Sequence, residues 1–367
     1  MTRTTASSPA PGSHPARPSL GRVAALDAAR AVAIVGMMAV NVGPRDVEGP
    51  VGLLYQLPAG RASLLFMVLA GVGMSILTRT ARQPGGHLPW QTILWRAALL
   101  LVGGLALQML DHEVSVILPT YGFLFLICMP LLRRSNLTLA VIATASTLAG
   151  PLIWLLAQRA TGQTYDFTQP VLADAPRDIL EGIVLSGSYP AVVWIAPFVL
   201  GLLLGRADLR ARRVQVRLAV AGAATALIAY VLSQILIVLL GEPSEPAGWT
   251  KLVSAVDHSQ MPLWLISGTG SAVLILGIFL LAEDVVARRL KFLCAAGRLS
   301  LTVYVGHLLV LAAWVRPEPH TLAEGILITL VMAVAALIFA SVWTRFFATG
   351  PLEFLFRWPR SRSSSRG

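Results

Sequence analysis

Long apolar runs broken by short polar gaps organise the whole chain, and none of the runs alternates apolar and polar residues with a period of two. Ten runs stand out: Ala24 to Val42, Ala62 to Thr78, Ile93 to Leu110, Val114 to Leu132, Leu137 to Gln158, Tyr189 to Gly205, Val214 to Leu240, Met261 to Leu281, Leu299 to Val315 and Leu322 to Phe347. Each approaches the roughly 20 residues that a helix needs to cross about 30 Å of hydrocarbon. Only helices and closed barrels satisfy their backbone in lipid, and unbroken apolar runs select helices. The pattern predicts an all-α fold, a polytopic transmembrane helical bundle of about ten spans.

Charge sharpens this picture, because the basic residues favour alternate gaps. Arg3, Arg17 and Arg22 precede the first run, Arg79, Arg82 and Arg96 flank the gap after the second, and Arg133 and Arg134 follow the fourth. Arg206, Arg210, Arg212, Arg213 and Arg217 surround the next basic gap, and Arg288, Arg289, Lys291 and Arg298 follow the eighth run. Arg345, Arg357, Arg360, Arg362 and Arg366 close the chain. The intervening gaps carry only Arg45, Arg61, Arg159, Arg177, Lys251 and Arg316, together with most of the acids. By the positive-inside tendency, both termini are expected in the cytoplasm.

Composition agrees: 13% of residues are charged and 56% hydrophobic, against the roughly 25% charge of a soluble domain. A water-soluble fold is excluded. The net charge of +11 reads as a collar facing anionic headgroups or a polyanionic cytosolic substrate, with the lipid bilayer as the partner and no nucleic acid. Residues 1–20, rich in Ser, Pro, Ala and Thr, read as a disordered tail. Residues 21–358 form the membrane domain and 359–367 a basic tail. The first run carries Asp27 and Arg30 and lacks a small-residue cleavage site, so it reads as an anchor, not a cleaved signal. Cys128 falls within a span and Cys294 in a basic loop, too far apart in depth for a disulfide.

Polar groups inside the runs are costly and so draw the eye. Asp27 and Arg30 share a helical face near the basic end of the first run, as a structural pair or as a grip for an anion. Gly297, Ser300, Tyr304 and His307 fall on one stripe of a helix, which sets His307 about 13 Å beyond Arg298, near the midplane. That histidine is either a packing hydrogen bond or a functional group. Asn41, at the outer end of the first run, is either a helix cap or a site residue.

At the acid-rich end, Asp111 with His112 and Asp257 with His258 are candidate acid and base pairs, His258 lying at the mouth of a span. No ligand spacing suggests a metal. The segment from Arg159 to Ser188 contains a short amphipathic stretch, Asp178 to Leu185, that could roof a pocket or rest on lipid. Gly71 with Ser75, Gly201 with Gly205, and Ser267 to Ser271 mark close helix contacts.

Six segments in order, LDAARAVAIVGMMAVN (Leu26 to Asn41), LPTYGFLFL around Tyr121, SYPAVVWIAPFVLGLLLGRADL (Ser188 to Leu209), DHSQMPLWLISGTGSAVLILG (Asp257 to Gly277), GRLSLTVYVGH (Gly297 to His307) and GPLEFLFR (Gly350 to Arg357), resemble the YeiB-like bacterial membrane proteins. That family is mostly of unknown function and is similar in turn to the heparan-alpha-glucosaminide N-acetyltransferases. The resemblance implies a multi-pass protein of the bacterial plasma membrane. It also implies transfer of an acyl group from cytosolic acyl-coenzyme A, a co-substrate and not a tightly bound cofactor, to a small-molecule acceptor outside. Asn41 matches the acetyltransferases' asparagine. Their loop histidine has no counterpart between Gly43 and Arg61, so His258 or His307 would take its place.

On this reading, Arg30, Arg96, Arg206 and Arg298, with Tyr304, hold the coenzyme, whose phosphates suit charge-assisted bonds. Asp257, Asp111 and His112 line the acceptor side. An imidazole near neutral pKa suits the base, through an acyl-histidine or by direct attack. The alternative is a secondary transporter, with Tyr304 and His307 lining the route.

Overall fold

The computed structural model describes residues 23–357, apart from 46, 166–168, 244, 246 and 320. Both tails, with Arg3, Arg17, Arg22, Arg360, Arg362 and Arg366, and the acids Asp46 and Asp166, lie outside the described residues. Among the described residues every regular element is helical. The long helices are α1 (Ala24–Val42), α3 (Arg61–Leu77), α4 (Trp90–Leu107), α6 (Asn136–Thr161), α9 (Arg212–Leu240), α10 (Pro262–Leu281) and α14 (Leu322–Phe346), and α2 (Gly49–Gln56) leads into α3. These give seven helices long and apolar enough to cross a membrane.

The remaining apolar runs fold differently from the uniform spans that the sequence pattern predicts. The run from Leu299 belongs to a bent pair, α12 (Lys291–Arg298) and α13 (Ser300–Val310, continued by a π turn to Val315), meeting at 81°. Gly297 is therefore on a different helix from Ser300, Tyr304 and His307, and the expected single stripe is broken at Leu299. Cys294 lies within α12, not in a loop, and no disulfide joins it to Cys128. The bend has two anchors. A Cβ at Gly297 would collide with the Asp27 carbonyl of α1, and the Glu353 carboxylate accepts from the backbone N–H of Leu301 (2.8 Å) and Thr302 (3.0 Å), capping α13.

The runs at Val114 and Tyr189 form the short helices α5 (Leu118–Ile127) and α8 (Ala191–Leu204). Ten residues of α5 reach about 15 Å, half of a hydrocarbon core. The chain before it, 111–117, is irregular although Val114, Val116 and Ile117 are buried. Buried backbone away from water must find partners, and here side chains supply them. Gln108 donates to the Val114 carbonyl (2.9 Å) and accepts from the Val116 N–H (2.8 Å), and the Tyr304 hydroxyl accepts from Ile117 N–H (3.3 Å).

The amphipathic stretch folds as α7 (Pro176–Glu181) and a π turn, Gly182–Ser186. Trp154 fastens it by donating to the Leu185 carbonyl at 2.9 Å. Helix α11 (Glu283–Arg289) returns Glu283 to α1, where its carboxylate accepts from Ala24 and Ala25 N–H, both at 2.8 Å.

Helices α1, α3 and α10 are mostly buried, whereas α9 and α14 show most of their apolar surface outward, as an outer ring bathed in lipid would. α9 packs along α10, and α8 lies between α3 and α6. Hydrogen bonds sort the gaps to two ends, as the alternation of charge requires. Arg133 reaches the Gly86 carbonyl and Arg206 the Arg134 carbonyl at the basic end, while Arg316 reaches the His112 and Asn41 carbonyls at the other.

The small residues work in pairs across helices, because a missing side chain lets backbones touch. Gly71 of α3 faces Gly201 of α8, Cα to a hypothetical Cβ at 2.9 Å, and Ser75 faces Gly205. Replacing Gly201→Val drives a side chain into the Val68 carbonyl. The purified protein in detergent should lose about 3 kcal/mol, the upper end for overpacking, read as a lower melting temperature. Gly103→Ala, which enters open space, should cause no such loss.

Candidate functional site

Two cavities, one at each end of the bundle, approach one another around α1 and α13. The basic-end cavity, about 280 Å³, is lined by Arg30 of α1, Gly73 of α3, Arg96 of α4, Tyr121 of α5 and Ser300 and Tyr304 of α13, with apolar walls. Arg30 donates to Asp27 at 3.0 Å, one turn earlier on the same face. Arg96 lies 5.8 Å from the Phe356 ring, and its buried Nε has no hydrogen-bond partner among the described residues. Arg206 and Arg298 do not line this cavity. Arg206 donates to the carbonyls of Leu132 (3.0 Å) and Arg134 (2.6 Å) and to the Asn136 side chain (3.0 Å), so it stitches a turn to the start of α6. Arg298 donates to the Ala348 carbonyl at 3.2 Å.

The second cavity, about 390 Å³, is lined by Asn41, Arg45, Ser63, Ser115, Ser188, Tyr189, Asp257 and His258, with apolar residues of α1 and α3. Residues from five separate parts of the chain converge there. Asn41 lies in the last turn of α1, and its side chain turns inward: Nδ2 is 3.1 Å from His307 Nε2. With the amide N–H as donor, Nε2 accepts and the imidazole proton sits on Nδ1. His307, 3% exposed, meets the ring of Tyr304 edge-on at 5.0 Å. Phe66 stacks on both Tyr304 (6.2 Å) and Tyr121 (5.5 Å). A partition of Phe66, Tyr121, Tyr304 and His307 thus stands between the cavities, with Tyr304 on one side and Asn41 on the other.

His258 occupies an aromatic box, its centroid 5.6 Å from Tyr189, 6.2 Å from Trp194 and 5.9 Å from Trp264. Its loop is unusual, because His258 (φ 52°) and Gln260 (φ 61°) both adopt the left-handed region that non-glycine residues avoid. Gln260 holds the loop in place: it is fully buried, accepts from Trp194 Nε1 (3.0 Å) and donates to the Ser188 carbonyl (2.9 Å). His258 Nδ1 is buried and without a hydrogen-bond partner among the described residues. Burial pushes the His258 pKa below its ordinary 6.5, opposed by Asp257 and assisted by Arg45. The ring is therefore a neutral base at pH 7.

Asp111 and His112 do not line either cavity. Asp111 is exposed. His112 is fully buried, and both ring nitrogens meet backbone: Nε2 lies 2.9 Å from the Leu107 carbonyl, and Nδ1 accepts from Val114 N–H at 3.1 Å. Its role is to shape the irregular segment that carries Ser115 to the cavity.

The charge pattern gave no special place to Arg316, which ties this end together. Its side chain is only 6% exposed, donating to the carbonyls of Asn41 (2.7 Å) and His112 (3.0 Å) and pairing with Glu318 (3.1 Å) and Glu113 (3.6 Å). Glu318 also pairs with Arg45 at 3.7 Å. The available signal was rarity, an arginine beside Pro317 and Glu318 in a gap with no other Lys or Arg. Ser63, Ser115, Ser188 and Tyr189 carried no signal beyond their residue type. Among the described residues no group of His, Cys, Asp and Glu could hold a metal ion.

Two outcomes follow from this geometry. Arg316→Gln leaves the Asn41 and His112 carbonyls short of a donor, so thermal unfolding should show a loss of about 1–3 kcal/mol, the scale for an unsatisfied buried acceptor, with little added by the solvent-exposed acids. His112 and His258 are both shifted below 6.5 by burial, so as the pH falls past that value the unfolded chain takes up protons first. The folded state loses stability as the pH drops from about 6.5 towards the lower folded pKa values. Melting temperatures should fall over that range, and less steeply in His258→Asn.

Residues 206–362 match the model of a family described as Protein of unknown function (DUF418). The matched part spans α9 to the Glu353 cap and contains His258, His307 and Arg316, whereas Asn41, Arg30 and Arg96 precede it. A YeiB-like assignment is consistent with that match. No curated protein matches the chain.

Proposed function

We propose that this multi-pass membrane protein is an acyltransferase. It takes an acyl group from acyl-coenzyme A at the Arg30 and Arg96 cavity and delivers it to a hydroxyl or amine in the Asn41 and His258 cavity. The supporting observation is the chain of contacts from Tyr304 through His307 to Asn41, which joins one cavity to the other. The excess of arginine at the donor end supports a cytoplasmic donor, both termini inside, and a cell-envelope acceptor outside. Ten crossings fit this scheme, with α5 and α8 each completed by the irregular chain beside it.

The residues present suit the donor. Arg30 and Arg96 match the coenzyme's phosphates, the orphan Nε of Arg96 leaves a donor to spare, and the apolar walls suit the uncharged arm that carries the thioester. In the transfer, the acceptor oxygen or nitrogen attacks the thioester carbonyl while its proton passes to a neutral imidazole. His258 is the group placed among acceptor-side polar residues for that task. The carbon–sulfur bond breaks, and the leaving thiolate takes up a proton. Asn41, oriented by His307 and by Arg316 on its carbonyl, offers its second amide N–H to the oxyanion. His307 is here a positioning residue.

Purified protein should melt higher with coenzyme A, by about 2.7 kcal/mol at a hundred times the dissociation constant. Arg96→Ala and Arg30→Ala should abolish that shift. His258→Ala and Asn41→Ala should keep it while slowing transfer by about 10²–10⁴. No shift with coenzyme A, together with solute uptake abolished by His307→Ala, would instead establish the transporter.

A further inference from the structure

A third cavity, about 510 Å³, lies beside the basic-end one and shares Leu100, Leu118, Leu301 and Phe356 with it. That volume falls within the range of about 300–1,000 Å³ typical of small-ligand sites. Its lining is almost wholly apolar, from Trp95 to Leu107 along α4, with Val305 of α13 opposite. The twelve helical rises from Trp95 to Leu107 give it a length of about 18 Å. The segment 352–356 closes its basic end, held by Trp95 Nε1 donating to the Leu355 carbonyl at 2.7 Å and by Glu353 on α13. At Gly103, which lines it, an added Cβ would meet nothing within 4 Å, so the space is real at the level of single atoms.

Resting on the reading of the basic-end cavity as the donor site, we infer that this third cavity receives a long aliphatic chain whose anionic head is held by Arg30 and Arg96. The donor is then a long-chain acyl thioester and not an acetyl one. Two features select this occupant over a loosely seated lipid tail. The apolar cavity shares four lining residues with a cavity that carries two arginines, and one of those arginines has a buried nitrogen without a partner among the described residues. An apolar slot continuous with a cationic mouth complements an amphiphile with one charged end. Acetate attached to the same coenzyme would leave the slot unfilled.

The test compares free coenzyme A, acetyl-coenzyme A and dodecanoyl-coenzyme A on the full chain in lipid nanodiscs, with dodecyl phosphate and butyl phosphate as heads without the coenzyme. Wild type should bind dodecanoyl-coenzyme A at least about tenfold tighter than acetyl-coenzyme A, a difference of about 1.4 kcal/mol. Gly103→Leu, whose Cβ enters open space at the slot, should erase that preference and leave the affinity for free coenzyme A unchanged. Val305→Phe is the second filling variant and should do the same. Equal binding of the two acyl-coenzymes by wild type, or a chain preference that survives both variants, overturns the inference. If no coenzyme species binds but dodecyl phosphate binds over butyl phosphate, with loss in Gly103→Leu and in Arg96→Ala, the chain site stands and the acyl-coenzyme A reading falls.

Discussion

Hydrocarbon offers no water to a polar atom, so each one at depth must be paired within the protein or held at a cost of several kcal/mol. That constraint shapes this bundle wherever it departs from plain helices. The irregular stretch 111–117 survives inside because Gln108, His112 and Tyr304 take over the role of water for its backbone. The ends of α1 and α13 survive because Glu283 and Glu353 reach across from distant segments to cap them. Each pairing carries a second consequence, since the groups that satisfy the backbone also fix where Ser115, Asn41 and Tyr304 stand.

The same accounting isolates the atoms that are left over. Among the buried side-chain atoms without a partner among the described residues, Arg96 Nε and His258 Nδ1 belong to the two cavities, and Tyr121 Oη and His307 Nδ1 belong to the partition between them. The His258 loop adds backbone strain in the left-handed region, held by the buried amide of Gln260. Strain of that kind persists only where surrounding contacts over-determine it. Three aromatic rings and two hydrogen bonds do so here, and they leave the imidazole facing the cavity that also contains Asn41 and Arg45.

Hydropathy and charge made the helical class and the two-ended sorting of the gaps legible, because both are local properties of single segments. Asn41 and His307 were each conspicuous as polar groups in apolar runs, but their contact joins residues 266 apart in sequence, and periodicity carries no information at that range. The bend at Leu299 was hidden for a similar reason. It depends on Glu353, which reads as an ordinary acid near the end of the chain, and on the close approach of Gly297 to α1. Arg206 and Arg298 misled because a basic gap is read as a whole, while only the side chains that point between helices reach a cavity. His112 stood out as the partner of Asp111, and nothing local reveals that its ring turns to the backbone of Leu107 and Val114.

The bend decides how the two cavities communicate. A straight helix through Gly297 and His307 would carry its polar stripe along one line from the basic end. With α13 turned by 81° at Leu299, Tyr304 and Ser300 instead face the arginine cavity, while His307 crosses to Asn41 at the end of α1. The two cavities are joined by the contacts of His307 with Tyr304 on one side and with Asn41 on the other. The glycine contacts between α3 and α8 bring those two backbones together with no space for a side chain at the seam. On the acyl-transfer proposal only the thioester has to reach this chain of contacts, whereas passage of a whole solute would require the halves of the bundle to rock apart.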